Sequence, residues 1–428
     1  MSDRAARPSP SPSPAEDRRL GLFEAFGVEI ELMIVDRETL DVKPVCDELL
    51  ARVGGGEVAD VELGDVTWSN ELTLHVLELK TSAPVPTLSG VARAFHASLD
   101  AAARPLSELD ARLMPGAMHP WMDPFAETEL WPHENTEVYR TFDRIFGCSG
   151  HGWANLQSTH LNLPFADDEE FARLHAAIRL VLPLIPGLAA SSPFQDAAVG
   201  PALDGRLAAY RQNSAKVPSV AGAVVPEPAF SRDEYEHAIL GRIYDDLAPH
   251  DPEGVLRYEW ANARGAIARF DRGAIEIRVV DAQECPTADV AVLAAIVEIV
   301  RALTSGRLAE RDPRRDPSTD TLARIFDRAV TDGERAAVQE RDLLRLLRVR
   351  KDEVPLGELW ARLLDAHPPD DPAREWTAAL QTILDHGPLA RRMLAMAGPA
   401  PGRASLRRVA EALCRSLEDD VSLVAVGA

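Results

Sequence analysis

The sequence predicts an α+β protein built on an antiparallel sheet. Segments with strand-like alternation, such as GVEIELMIVD (27–36), recur along the chain. Long segments with helical spacing lie between them, without the regular βαβ alternation of a parallel sheet. At 428 residues there is room for one large domain with additions, or for two or three small ones.

The elements follow in order. Residues 1–18 alternate Pro with Ser and are expected as a disordered tail, with no apolar stretch that would make a secretory signal. A strand is expected at about 26–36, then a polar linker and an apolar segment over Thr67–Lys80. Residues 89–113 have helical spacing, with Val91, Phe95, Leu99 and Leu106 on one side. THLNLPF (159–165) alternates like a strand, and 167–190 opens with acids and runs apolar like a helix. Residues 191–229, rich in Gly, Pro and Ser, are expected as loops that close over a site. RGAIEIRVVD (272–281) reads as a strand and 286–303 as a helix with Thr287 as its cap. A charged linker at 305–320 leads to helical spacing, as in LGELWARLLDAH. The expected division is a tail (1–18), a main domain (19–305) and a helical C-terminal extension (306–428).

Composition narrows the function. A formal net charge of −22, from 46 basic and 68 acidic residues, argues against nucleic acid as a partner. It does not exclude a nucleotide, because acidic residues hold Mg²⁺ and the metal carries the phosphates. Cys46, Cys148, Cys285 and Cys414 lie far apart with no CxxC pair, which fits reduced thiols in a cytoplasmic protein rather than a zinc site or disulfide scaffold. The most apolar run holds Arg179, Pro183 and Pro186, so no membrane span of ~20 residues is expected.

The chemistry sits on the polar faces of the strands. In the first strand Val28, Ile30, Leu32 and Ile34 share one face, and Glu29 and Glu31 share the other, roughly 7 Å apart at about 3.3 Å per residue. STHLNLPF puts Ser158, His160 and Asn162 together, and AIEIRVVD puts Glu276 beside Arg278. NELTLHVLELKTSAP adds Glu71 and Glu78. One such strand reads as a solvated edge. Several fit a sheet whose polar face lines a cavity, where divalent cations compensate the carboxylates: Mg²⁺ for the glutamates, with one imidazole leaning toward Mn²⁺. Glu71 and Glu78 are seven apart, so one straight strand would face them oppositely; a helix, a turn or a bulge would bring them together. His75, His119 and His151 read as structural and Tyr210 as packing. No Ser-His-Asp arrangement, P-loop or dinucleotide fingerprint is present.

GVEIELMIVD, LELKTSAP, STHLNL, SSPF, LAAYR and AIEIRVVDAQECPTADVAVLAAIVEIVRAL, in this order across about residues 21–305, together resemble glutamate–cysteine ligase family 2, the bacterial carboxylate–amine ligases. The resemblance implies a glutamine-synthetase-like fold, in which a curved antiparallel sheet forms a funnel-shaped active site flanked by helices. It places metal ligands on Glu29, Glu31, Glu71, Glu78, His160 and Glu276. It puts Arg278 at the transferred phosphoryl group and Arg211 at substrate or phosphate, with Arg206 as a second candidate. The implied reaction uses ATP and Mg²⁺ to make γ-glutamyl phosphate, which an amine attacks; cysteine is the expected acceptor, giving γ-glutamylcysteine for glutathione biosynthesis. The alternatives are another amine, or a member that binds nucleotide without forming a bond. A homo-oligomer is compatible with the family. Ile30 between the two acids departs harmlessly from the usual first strand, whereas Asn162 stands where many members have a second histidine.

Overall fold

The computed structural model describes residues 19–308 and 317–424. The expected tail, 1–18, and half of the charged linker, 309–316, lie outside the described residues.

Its centre is an antiparallel sheet of β1 (Gly27–Asp36), β2 (Asp60–Leu63), β3 (Val66–Asn70), β4 (Val76–Thr81), β5 (Ala111–Met114), β6 (Ser158–Pro164), β7 (Ala266–Arg269) and β8 (Ala274–Asp281). The order is β2-β3-β4-β1-β6-β8-β7, with β5 also on β1. The central strand is β1. Gly27 to Ile30 pair with β6, Glu29 to Met33 with β4, and Met33 to Asp36 with β5. The predicted apolar face holds: Val28, Ile30, Leu32 and Ile34 are buried in one core with Leu79, Leu161, Leu163, Ile275 and Ile277.

Among the helices are α1 (Cys46–Gly54), α2 (Val91–Ser107), α3 (Thr136–Phe146), α4 (Asp168–Val181), α5 (Gly205–Asn213) and α6 (Pro286–Thr304). Apolar nearly all round, α6 is buried along almost its whole length. Beyond the linker follow α7 (Thr319–Asp332), α8 (Leu356–Ala366), α9 (Thr377–His386), α10 (Leu389–Ala397) and α11 (Arg403–Asp419). The first three share the main core, whereas α10 and most of α11 pack in a second core with Met33, Val35 and Met114. Trp360 donates its indole N–H to the Leu184 carbonyl at 2.7 Å, and the amides of Leu203 and Asp204 donate to Thr331 and Val330 at 3.1 and 3.0 Å. Arg392 forms a fully buried ion pair with Glu284.

Several local expectations need correction. The helix expected over 89–113 stops at Ser107, past Pro105; Asp110 turns the chain with φ of +51°. Residues 111–114 then pair with β1, whose end runs on past β4 and β6 and would otherwise leave its backbone groups unpaired. The helix expected over 167–190 ends at Val181, because Pro183 and Pro186 break it into short turns. The 191–229 region holds α5, whose N-cap Asp204 accepts from the Leu207 amide. Thr287 does not cap α6. Its own N–H and hydroxyl donate to Asp420, at 3.0 and 2.7 Å.

In β8 the register slips by one residue. Glu276 faces Asn162 and Ile277 faces Leu161, but Val280 faces Thr159, so a bulge lies at Arg278–Val279. There the Arg278 amide leaves β6 and donates to the Gly265 carbonyl at 3.0 Å. A methyl group on Gly265 would collide with Val279 and press on Leu182 and Val224 at 3.1 Å. Gly265→Ala is therefore expected to cost about 1–3 kcal/mol by overpacking. Urea unfolding checks it, and an unchanged midpoint would show that the bulge yields freely.

Candidate active site

The polar face of the sheet floors a cavity of about 730 Å³. Glu29 and Glu31 come from β1, Glu78 and Lys80 from β4, Ser158, His160 and Asn162 from β6, and Glu276 and Arg278 from β8. Glu71 enters from the turn joining β3 to β4. That turn answers the parity question: Glu71 lies in the turn, just past β3, and Glu78 on the returning strand β4.

His160 is the hub. Its Nδ1 lies 3.1 Å from Glu29 and 4.0 Å from Glu276, and its Nε2 lies 3.6 Å from Glu31. Ser158 reaches Nε2 at 2.9 Å and donates its amide and hydroxyl to Glu31 at 2.7 and 3.1 Å. Asn162 donates to Glu29 at 3.1 Å, while its own Oδ1 is buried with no partner. Arg278 turns Nε and Nη2 onto one oxygen of Glu276, whose other oxygen is 3.7 Å from Arg269.

The two arginines of α5 part company. Arg206 is buried and lines the cavity. Arg211, expected at substrate or phosphate, lies outside it, 40% exposed and 2.9 Å from Asp327. Five residues of helix rotate a side chain by about 140° net, so the two cannot share a face. Lys80 and Arg269 were absent from the sequence reading. Lys80 had a signal, sitting two residues from Glu78 on an alternating strand. His75 is structural as expected, buried with its Nε2 2.8 Å from the Ala154 carbonyl.

Residues 25–412 match the family described as glutamate-cysteine ligase family 2. The chain belongs to that family. It is therefore an ATP-dependent ligase of the carboxylate–amine type. An uncharacterized protein of Archaeoglobus fulgidus is 35% identical over 340 residues, covering 78% of this chain and 91% of the relative. A Rubrobacter xylanophilus protein provisionally named glutamate–cysteine ligase 2-3 is 32% identical over 186 residues, covering 43% of this chain and 46% of its own. In fold, the chain is similar to the crystal structure of Francisella tularensis glutamate–cysteine ligase in complex with AMP. The TM-score is 0.57 at 12% identity, over 94% of this chain and 90% of that one.

The electrostatics of this family member are those of a site with surplus negative charge. Burial, and then the charge of Glu31, raise Glu71 to about 8. Burial, Glu29 and Glu71 raise Glu78 well above the usual carboxylate range. Burial would raise Glu29 too, but the His160 hydrogen bond and charge hold it at about 2. His160 resists its own desolvation and sits at about 9 because Glu29, Glu31 and Glu276 surround it. Protons thus occupy places where a cation would serve.

The donors fit a hard divalent ion: glutamate oxygens, one imidazole and the unpartnered Asn162 oxygen. Among the described residues no three of them are gathered closely enough to clasp an ion alone.

A pH prediction follows for the metal-free protein. Glu71 and Glu78 hold protons more tightly folded than unfolded, so their contribution to stability is lost as pH climbs above about 4.5, through about 8 for Glu71. His160 adds a loss between about 6.5 and 9. The melting temperature should therefore fall by several degrees from pH 6 to 9, and Mg²⁺ should raise it more at pH 8.5 than at pH 6. A flat profile in differential scanning fluorimetry would contradict this.

Proposed function

We propose that the protein phosphorylates the γ-carboxylate of glutamate with ATP and joins the resulting acyl phosphate to an amine, with cysteine as the acceptor. The observation that carries the chemistry is the gathering of Glu29, Glu31, Glu71, Glu78, Glu276 and His160 on one face, beside Arg206 and Arg278, in a cavity of about 730 Å³. The acceptor rests on family membership. The AMP bound to the Francisella ligase supports a nucleotide in a cavity of this fold.

Amide formation from a free carboxylate in water runs uphill, and phosphorylation of the carboxylate supplies a leaving group. The protein's part is positioning and charge balance. Divalent ions held by the carboxylate floor would neutralise the β- and γ-phosphates. Glu29, Glu31, Glu71, Glu78, Glu276 and His160 are the residues that would hold them. Arg278, held by Glu276 through Nε and Nη2, would present the remaining edge of its planar fork to the transferring phosphoryl group. Arg206 would bind a second pair of oxygens of the same anion. In this reading the curved sheet is a funnel, with nucleotide and glutamate approaching the floor from different sides. The four cysteines are buried and unpaired, which suits a reducing cytoplasm. Among the described residues no helix is long and apolar enough to cross a membrane.

Incubation with ATP, Mg²⁺, glutamate and a panel of amines, followed by mass spectrometry, tests the reaction: γ-glutamylcysteine is the expected product. An amide with a different amine would keep the chemistry and replace the acceptor. Phosphate release independent of any amine would overturn the ligase reaction proposed.

Glu29→Gln and Glu276→Gln should stay folded and abolish metal-dependent ATP turnover; wild-type rates in both would sink the metal assignment. Arg278→Lys should lose ~10²–10³ in rate, the usual cost of one donor at a developing charge. Were Arg278 only an ion-pair partner of Glu276, lysine would substitute at about 1 kcal/mol in stability with turnover within threefold of wild type. Rates and melting temperatures measured side by side separate the two.

A further inference from the structure

The bulge in β8 has an effect one residue beyond the strand's apolar run. Glu276 and Asp281 are five apart, so an unbroken strand would send them to opposite faces. The inserted residue reverses that parity, and Asp281 pairs in register with Ser158, which lies on the cavity face with His160 and Asn162. Asp281 is fully buried. Its Oδ2 accepts from the Ser191 amide and the Ser192 hydroxyl, each at 2.8 Å, and its Oδ1 accepts from Arg206 Nε at 2.5 Å. The Ser191-Ser192 pair of the SSPF motif is thereby explained as the cradle of this carboxylate. Ser192 also accepts from the Arg206 amide at 3.0 Å and donates toward Asp204, the N-cap of α5, at 3.5 Å.

Arg206 is thus gripped at Nε and at its backbone. Among the described residues its terminal nitrogens reach only the Arg278 carbonyl, at 3.4 Å each. The guanidinium has an anchored edge and a lightly held edge in the cavity wall. Other anions are close by, Glu31 on the floor among them. An Arg206 released from Asp281 would be drawn to those carboxylates and would compete with the cations they are built to hold.

We propose that Asp281 is a positioning residue that aims Arg206 at the anion undergoing transfer and keeps it off the metal-binding floor. This rests on the ligase reading for the identity of that anion. The disposition of Arg206 does not depend on that reading.

The test compares Asp281→Asn, Arg206→Lys and the double variant with wild type in metal-dependent ATP turnover, together with a crystal structure of Asp281→Asn. Each single change is expected to lower kcat by about 10²-fold while leaving the KM for ATP within about threefold. The double variant should be no slower than the slower single variant, because Asp281 acts through Arg206. In the crystal Arg206 should have left its place toward the floor. Losses that multiply in the double variant, or an unmoved Arg206, would overturn the proposal. If Asp281→Asn does not fold, Ser192→Ala removes one donor to Asp281 and buries no new polar group. It should cost about 3–10-fold in kcat, and an unchanged kcat there would count against the proposal. A wild-type protein without turnover would defeat the ligase reading, and the position of Arg206 in the variant crystal would still decide this one.

Discussion

Five glutamates on one buried sheet face set the terms for the rest of the molecule. Carboxylates removed from water must be paired, protonated or given a cation. The protein shows the first two. His160 stands between Glu29, Glu31 and Glu276, while Lys80, Arg269 and Arg278 press in from neighbouring strands. Glu71 and Glu78 retain protons. The arrangement is costly for a folded chain by itself.

The scaffold that tolerates this charge is strongly apolar on its other side. The same β1 residues that alternate with the glutamates reach a core continuous from Phe26 to Leu417. That core runs into the helices after the linker, which also hold the backbone of Leu203 and Asp204 just before Arg206. The C-terminal helices thus brace the segment from which a cavity arginine projects.

Much of this was legible in the sequence, because alternation at period two is a local property. Glu29, Glu31, His160, Glu276 and Arg278 all face the cavity as the alternation required. What was not legible depends on non-local backbone. Glu71 and Glu78 needed a hairpin turn that the apolar run from Thr67 to Lys80 did not announce. Asp281 needed a bulge, and nothing in AIEIRVVD marks one extra residue. Arg211 was expected at the site from a motif position, whereas the face of α5 that meets the cavity is set by how the helix docks. Strand β5 was hidden inside a helical periodicity, since its pairing is dictated by the unfilled end of β1. In each case the missing information lay in a partner strand or helix remote in sequence.

The clasp between Asp420 and the start of α6 has a bearing on how the molecule comes into being. Every residue lining the main cavity lies between Leu20 and Arg278. All of them emerge from the ribosome before the segment that supplies Asp420, Arg392 and the Leu423 backbone to Thr287 and Glu284. A growing chain therefore holds the full complement of charged groups before it holds the braces that fix the end of β8 and the entrance to α6.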